Sequence, residues 1–163
     1  GGEKVTGPDG VDWEADRDRR YNTGIYTAKK ARIKQANARM QNVYKTERWS
    51  YTSVGYEFDV TPGHYRVVLH FAETNPNFSK KGDRTFDIHI ADEKVKEKFD
   101  IVAAAGSINK AVTCSFERRI KTGKLSITLK KNTAGPCIKG IEIMEIQATA
   151  VKSADDDPAL EKK

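Results

Sequence analysis

Residues 43–73 read VYKTERWSYTSVGYEFDVTPGHYRVVLHFAE, and in two stretches within them apolar residues alternate with mostly polar neighbours. In 55–60 (GYEFDV), Tyr56, Phe58 and Val60 are separated by polar residues, and in 64–72 (HYRVVLHFA) Tyr65, Val67, Leu69 and Phe71 recur at the same period. Successive side chains of an extended chain point to opposite faces, so a period of two marks strands with one face on a core. Thr61-Pro62-Gly63 lies between them and supplies a tight turn, since Pro fixes φ and Gly tolerates positive φ. The two segments are expected to form a β-hairpin.

The same period continues downstream. Strands are expected at 85–91 (TFDIHIA), 94–101 (KVKEKFDI), 111–120 (AVTCSFERRI), 124–131 (KLSITLKK) and 137–146 (CIKGIEIMEI). The short breaks Asp92-Glu93, Lys121-Thr122-Gly123 and 132–136 are the spacing of an antiparallel sandwich. Upstream, TAKKARIKQANARMQNV (27–43) is rich in Ala, Lys, Arg and Gln, with Ile33, Ala36, Met40 and Val43 at steps of three or four. That pattern predicts one amphipathic, basic helix. The fold class is therefore all-β, an antiparallel sandwich with one short basic helix. Residues 1–10, ending in Gly7-Pro8-Asp9-Gly10, read as an entry loop or linker, 11–146 as the domain, and 147–163 as a flexible polar tail.

At 163 residues the chain has room for one hydrophobic core. With 37% hydrophobic and 32% charged residues and a mean hydropathy of -0.68, it is polar but not depleted enough to stay unfolded. Its longest apolar runs are interrupted by charge, which excludes a membrane-spanning helix. Cys114 and Cys137 are too few and too distant for a disulfide-stapled scaffold, and no Cys-x-x-Cys pair suggests zinc. The net charge is +6, yet 17–48 alone carries ten basic residues against two acids. Such a stretch attracts phosphates or acidic surfaces, and Lys29, Lys30, Arg32, Lys34 and Arg39 along the expected helix form a candidate basic patch.

No catalytic signature is present: no Gly-x-Ser-x-Gly, no phosphate-cradling glycine loop, no His-Glu-x-x-His. The three histidines do not cluster, no carboxylate pair stands out, and no cofactor or metal is expected. The aromatics outside the alternating strands are more informative. Trp13, Tyr21, Tyr26, Tyr44, Trp49, Tyr51 and Phe78 fall in loops or at strand edges, where a ring is free to stack on a ligand. A pyranose offers a CH-rich face for such a ring, and its hydroxyls need amide and carboxylate partners. Glu73, Asn75, Asn77, Asn132 and Asp16 supply those types in neighbouring loops.

Taken together, VYKTERWS (43–50), GYEFDV, the Pro-Gly turn, YRVVLHFAE (65–73), RTFDIHI (84–90), FDI (99–101), Gly123-Lys124-Leu125 and IKGIEIM (138–144) resemble the malectin family over about 11–146. This resemblance implies a jelly-roll-like (galactose-binding-like) β-sandwich without catalysis, a lectin-type module holding a glucose-containing disaccharide between loop aromatics and an acidic residue. Carried over residue by residue, it places Trp49 after Thr46-Glu47-Arg48 and Tyr26 near the family's earlier loop tyrosine. The aromatic pair after Phe71-Ala72-Glu73 is replaced by Asn75-Pro76, with Phe78 two residues on, and the late-loop aspartate by Asn132-Thr133-Ala134-Gly135. Glu47, Arg48, Phe71, Glu73, Phe86 and Asp87 match positions that fix strand packing and loop geometry.

The expected carbohydrate-binding residues are thus Tyr26, Trp49, Glu73, Asn75, Phe78 and Asn132, and the expected partner is an oligosaccharide or glycan. The alternative reading is a malectin-like domain reused as a basic module that meets an acidic protein surface, nucleic acid or anionic polymer. In either case the chain is expected to be one domain of a multidomain protein. The compartment follows from the parent: endoplasmic reticulum or extracellular space if like malectin, intracellular if cytoskeletal. Asn77-Phe78-Ser79 is an N-glycosylation sequon in the loop assigned to the site.

Overall fold

The computed structural model describes residues 2–7, 10, 12–16 and 23–147. Twelve strands appear in chain order: β1 (Val5–Thr6), β2 (Asp12–Trp13), β3 (Gly24–Thr27), β4 (Thr46–Trp49), β5 (Ser53–Asp59), β6 (Gly63–Phe71), β7 (Thr85–Ile90), β8 (Glu93–Asp100), β9 (Val112–Ile120), β10 (Lys124–Lys131), β11 (Cys137–Ile138) and β12 (Gly140–Glu145). Two five-residue helices interrupt them, α1 (Gln41–Lys45) and α2 (Ile101–Ala105), together with a 3-10 turn at Pro76–Phe78.

Two antiparallel sheets, β5-β10-β7-β8 and β12-β6-β9, face one another. Their inward residues make one core: Val54 and Tyr56, Phe86, Ile88 and Ile90, Phe99, and Leu125, Ile127 and Leu129 meet Tyr65, Val67, Leu69 and Phe71. Phe71 bridges the layers, with its ring 5.8 Å from Phe86 and 4.9 Å from Phe99. Burying such side chains is worth about 1.5–3 kcal/mol each, and this is what holds the sandwich closed. A smaller sheet, β11-β4-β3, carries the candidate site described below, and β1-β2 form a separate ribbon.

The expected strands are present with shifts of a residue or two, but their pairing corrects one expectation. The segments around Thr61-Pro62-Gly63 do not form a hairpin. β5 pairs with β10 and β6 pairs with β9 and β12, so the turn carries the chain from one sheet to the other. The corner is held by the Tyr65 hydroxyl, which donates to the Thr61 carbonyl at 2.8 Å, and by the Val60 N–H, which donates to the Gly123 carbonyl. A local turn signal specifies the reversal, and partner choice comes from which faces bury together. The single strand expected over 137–146 is likewise broken at Lys139. Cys137 and Ile138 pair with β4, and Gly140 onward pairs with β6.

The basic helix expected at 27–43 is also corrected: only Gln41–Lys45 is helical. Backbone groups upstream find tertiary partners in place of the i→i−4 ladder. The Lys34 N–H donates to Asn109, the Lys34 carbonyl accepts from Ala111, and the Gln41 side chain serves both the N–H and the C=O of Ile33. Gln35 takes a positive φ of 63°, which no helix accommodates. The apolar residues do converge: Ile33, Met40 and Val43 bury with Tyr44, Ala72 and Ala111 in a second cluster. Of the entry loop expected at 1–10, Val5–Thr6 pairs with Asp12–Trp13. The expected tail lies outside the described residues beyond Gln147.

Candidate functional site

Strand β4 builds the centre of the site. Its period of two separates TERW into two faces: Glu47 and Trp49 line a cleft, while Arg48 turns away to Asp16 Oδ2 at 2.6 Å and Thr23 Oγ1 at 2.5 Å. The Trp49 indole lies against β3 at Gly24, where a Cβ would sit 2.8 Å from Nε1, so glycine is needed for this approach. Tyr51 meets Trp49 edge-on, with centroids 4.9 Å apart. Tyr26 projects from β3 and is 44% exposed. On the loop between β10 and β11, Gly135 runs against the main chain of residue 50. An added Cβ there would meet the Ser50 carbonyl at 1.9 Å, and the Ser50 N–H donates to the Pro136 carbonyl.

The remaining lining comes from the loop after β6. Glu73 is fully buried and anchors that loop: Oε1 accepts the Asn75 N–H at 2.9 Å, and Oε2 lies 3.3 Å from Arg84 Nε. Asn75 then caps the 3-10 turn, with Oδ1 accepting the Asn77 N–H at 3.0 Å. The turn delivers Phe78, whose ring lies 4.1 Å beneath the Arg84 guanidinium, a cation–π contact. The resulting cleft is about 400 Å³ and is lined by four aromatic side chains, Asn75, Asn77, Ser50 and Gly135, over a floor of Glu47 and Arg84.

That floor rests on buried charge. Lys139 is fully enclosed and donates to Glu47 Oε2 at 2.5 Å and to Thr74 Oγ1 at 2.9 Å. Lys139 stands where the chain changes partner from β4 to β6: its N–H donates to the His70 carbonyl and its side chain is enclosed against Glu47. Cys137 is wholly buried beside these groups, and burial pushes its thiol up, so it is inert toward deprotonation.

Burial pushes the Glu73 carboxyl up to about 7, outweighing the pull of Arg84 and the Asn75 N–H. Its ordinary value is 4.5, so between pH 4.5 and 7 the unfolded chain has lost this proton while the folded chain keeps it. Stability is therefore expected to fall as pH rises through that window, by about 3 kcal/mol in all, and to level off above it. Urea midpoints across the window for the unsubstituted chain and Glu73→Gln check this. The variant should lack that part of the slope, and parallel profiles would contradict it.

Of the residues expected to bind sugar, Tyr26, Trp49, Asn75 and Phe78 are brought together in the cleft. Glu73 and Asn132 are not. Glu73 lies beneath the floor and reaches it only through Asn75 and Arg84. Asn132 is exposed outside the cleft, its N–H given to the Thr85 carbonyl, because its loop is tied down onto the start of β7. Arg84, Ser50 and Gly135 are absent from the sequence reading of the site, Tyr51 enters it only as a loop aromatic free to stack, and Glu47, read as a packing residue, lines the cleft. Tyr51, two residues from Trp49, carried a signal. Arg84 opens an alternating strand and reads locally as a surface cation, while it is only 6% exposed.

Two further loop aromatics serve packing instead. Tyr44 is buried and its hydroxyl meets His70 Nδ1 at 2.7 Å, and Trp13 packs edge-on against His70 at 5.0 Å. Tyr21 lies outside the described residues. Lys29, Lys30, Arg32, Lys34 and Arg39 are exposed, as a basic patch requires, but they sit on the loop between β3 and α1 and not along one helix. Among the described residues no three His, Cys, Asp or Glu side chains converge on a metal position, and no helix is long and apolar enough to cross a membrane.

The chain is thus an all-β sandwich domain with an aromatic-lined cleft beside the β11-β4-β3 sheet, and comparison with known proteins gives the family. Residues 1–149 match the Malectin domain profile, and the chain belongs to the malectin family. Malectin-B of Xenopus laevis is 31% identical over 145 residues, covering 80% of this chain and 52% of its own. A probable leucine-rich repeat receptor-like serine/threonine-protein kinase of Arabidopsis thaliana is 30% identical over 149 residues, covering 88% of this chain and 14% of its own. The chain thus spans about half or less of the length of these relatives. Among solved structures, plant receptor-like kinase ANX1 superposes with a TM-score of 0.80 at 17% identity, over 90% of this chain and 47% of that one, a likeness of fold.

Proposed function

We propose that the chain is a non-catalytic carbohydrate-binding module that takes a glucose-containing oligosaccharide in the cleft between Tyr26, Trp49, Tyr51 and Phe78. The observation that carries this reading is the convergence, in one cleft of about 400 Å³, of four aromatic rings with amide and hydroxyl groups over a charged floor. That volume is in the range of small-ligand clefts. The rings suit the CH face of a pyranose, and Asn75, Asn77, Ser50, Glu47 and Arg84 provide donors and acceptors for its hydroxyls. Membership of the malectin family supports the same reading.

Stacking and neutral hydrogen bonds respond weakly to ionic strength, whereas phosphate or acidic-surface binding weakens steeply. Calorimetric titration with nigerose, maltose and longer gluco-oligosaccharides at 50 and 500 mM salt separates the two. The expected Kd changes by less than about twofold between the salts. No binding to any sugar, together with a strongly salt-dependent response to an acidic polymer, would instead assign function to the basic loop around Lys29 and Arg39.

A further inference from the structure

The chain contains one Asn-x-Ser/Thr triplet with a non-proline centre, Asn77-Phe78-Ser79, and the fold places it in the wall of the cleft. Asn77 and Ser79 are both exposed, on and just after the 3-10 turn. That turn is held by main-chain groups and by Asn75: the Asn77 N–H goes to Asn75 Oδ1, and the Phe78 N–H to the Asn75 carbonyl. The Asn77 carboxamide itself is in no hydrogen bond among the described residues. A substituent on Nδ2 therefore leaves the turn, and the seat of Phe78 under Arg84, intact.

We propose that Asn77 is an N-glycan acceptor and that its glycan covers the mouth of the cleft, so that modified and unmodified chains differ in access to the site. In the transfer, Asn77 Nδ2 forms a bond to the anomeric carbon of a lipid-diphosphate-linked oligosaccharide supplied by the secretory pathway. The bond from that carbon to the diphosphate oxygen breaks, the lipid diphosphate leaves, and one Nδ2 proton passes to base; nothing is oxidised or reduced. A sequon at a surface turn accommodates the product without disturbing the core. Its first sugar is fixed to a residue that lines the cleft, and the flexible remainder is held there at an effective concentration of about millimolar, which screens Tyr26, Trp49 and Tyr51 from external ligand. The acceptor role stands on the sequon and its exposure, while the effect on sugar affinity rests on the function proposed above.

The test is secretion of the chain from a eukaryotic host beside Ser79→Ala, which removes the sequon and keeps Asn77 in the wall. Intact mass and glycosidase digestion should find one N-glycan at Asn77, absent from the variant. Hydroxyl-radical footprinting should find Tyr26, Trp49 and Tyr51 less oxidised in the glycosylated chain, and gluco-oligosaccharides should bind it about tenfold or more weakly than Ser79→Ala. An unmodified Asn77 in secreted protein overturns the acceptor. A glycan with unchanged footprints overturns the covering of the cleft. If neither form binds sugar, the function proposed above fails, and the mass and footprints still decide this inference.

Discussion

Trp49→Ala is expected to bind gluco-oligosaccharides at least about tenfold more weakly than the unsubstituted chain, a loss of about 1.4 kcal/mol or more. The indole is the largest ring in the cleft. It is positioned from three sides: by the strand face it shares with Glu47, by Gly24 beneath it, and by Tyr51 edge-on at 4.9 Å. Removing it takes away a stacking face and the ring against which Tyr51, itself 77% exposed, packs edge-on. Trp49 also packs against the main core, so the substitution lowers stability as well. Trp49→Phe separates the two effects, because it keeps much of the packing and a smaller ring. Its affinity should fall between the other two, with melting close to that of the unsubstituted chain. If Trp49→Ala remains folded and binds as tightly as before, the sugar site is elsewhere.

The second large effect is on stability. Lys139→Met should lower the folding free energy by about 3–5 kcal/mol, read as a drop in urea midpoint. Lys139 is wholly buried and its ammonium is shared between Glu47 and Thr74, so its loss takes from the buried Glu47 carboxylate the one cation hydrogen-bonded to it among the described residues, leaving only the more distant Arg84. For a domain whose total stability is about 5–15 kcal/mol, this is a large fraction. Adding Glu47→Gln should recover a substantial part, since the double variant no longer buries the Glu47 carboxylate without its lysine partner. A single variant within about 1 kcal/mol of the unsubstituted chain would show that Glu47 is hydrated or neutralised by another group. Because Glu47 also lines the cleft, the single variant should bind sugar more weakly even where it remains folded.

The sandwich was legible because alternation is a local consequence of one-sided burial. Tyr65, Val67, Leu69 and Phe71 could be assigned to a core face without knowledge of their partners. Partner choice was not legible. The Pro62-Gly63 turn specifies a reversal, and both a hairpin and a crossover between sheets satisfy it. The basic segment misled for a related reason: Ile33, Met40 and Val43 have helical spacing, and they do reach one cluster, but along a loop whose backbone groups are satisfied by Asn109, Ala111 and Gln41.

The cleft was half legible. Tyr26, Trp49, Asn75 and Phe78 stood out as aromatics and amides without a core position, and the family resemblance pointed to the same loops. Arg84, by contrast, is a site residue through its contact with Phe78 and its burial beside Glu73, both products of tertiary packing with no trace in the neighbouring sequence. Glu73 illustrates the converse. Its chemistry suited a sugar hydroxyl, but the fold uses it to anchor the loop that carries the binding groups.

The most direct test of the central claim is an amide-NMR titration of the chain with nigerose and maltose. The account predicts shifts confined to the amides around Tyr26, Glu47–Tyr51, Asn75–Phe78 and Gly135, saturating with the affinity found by calorimetry. Silence in these loops with every sugar, or shifts along the basic segment from Lys29 to Arg39 instead, would contradict it.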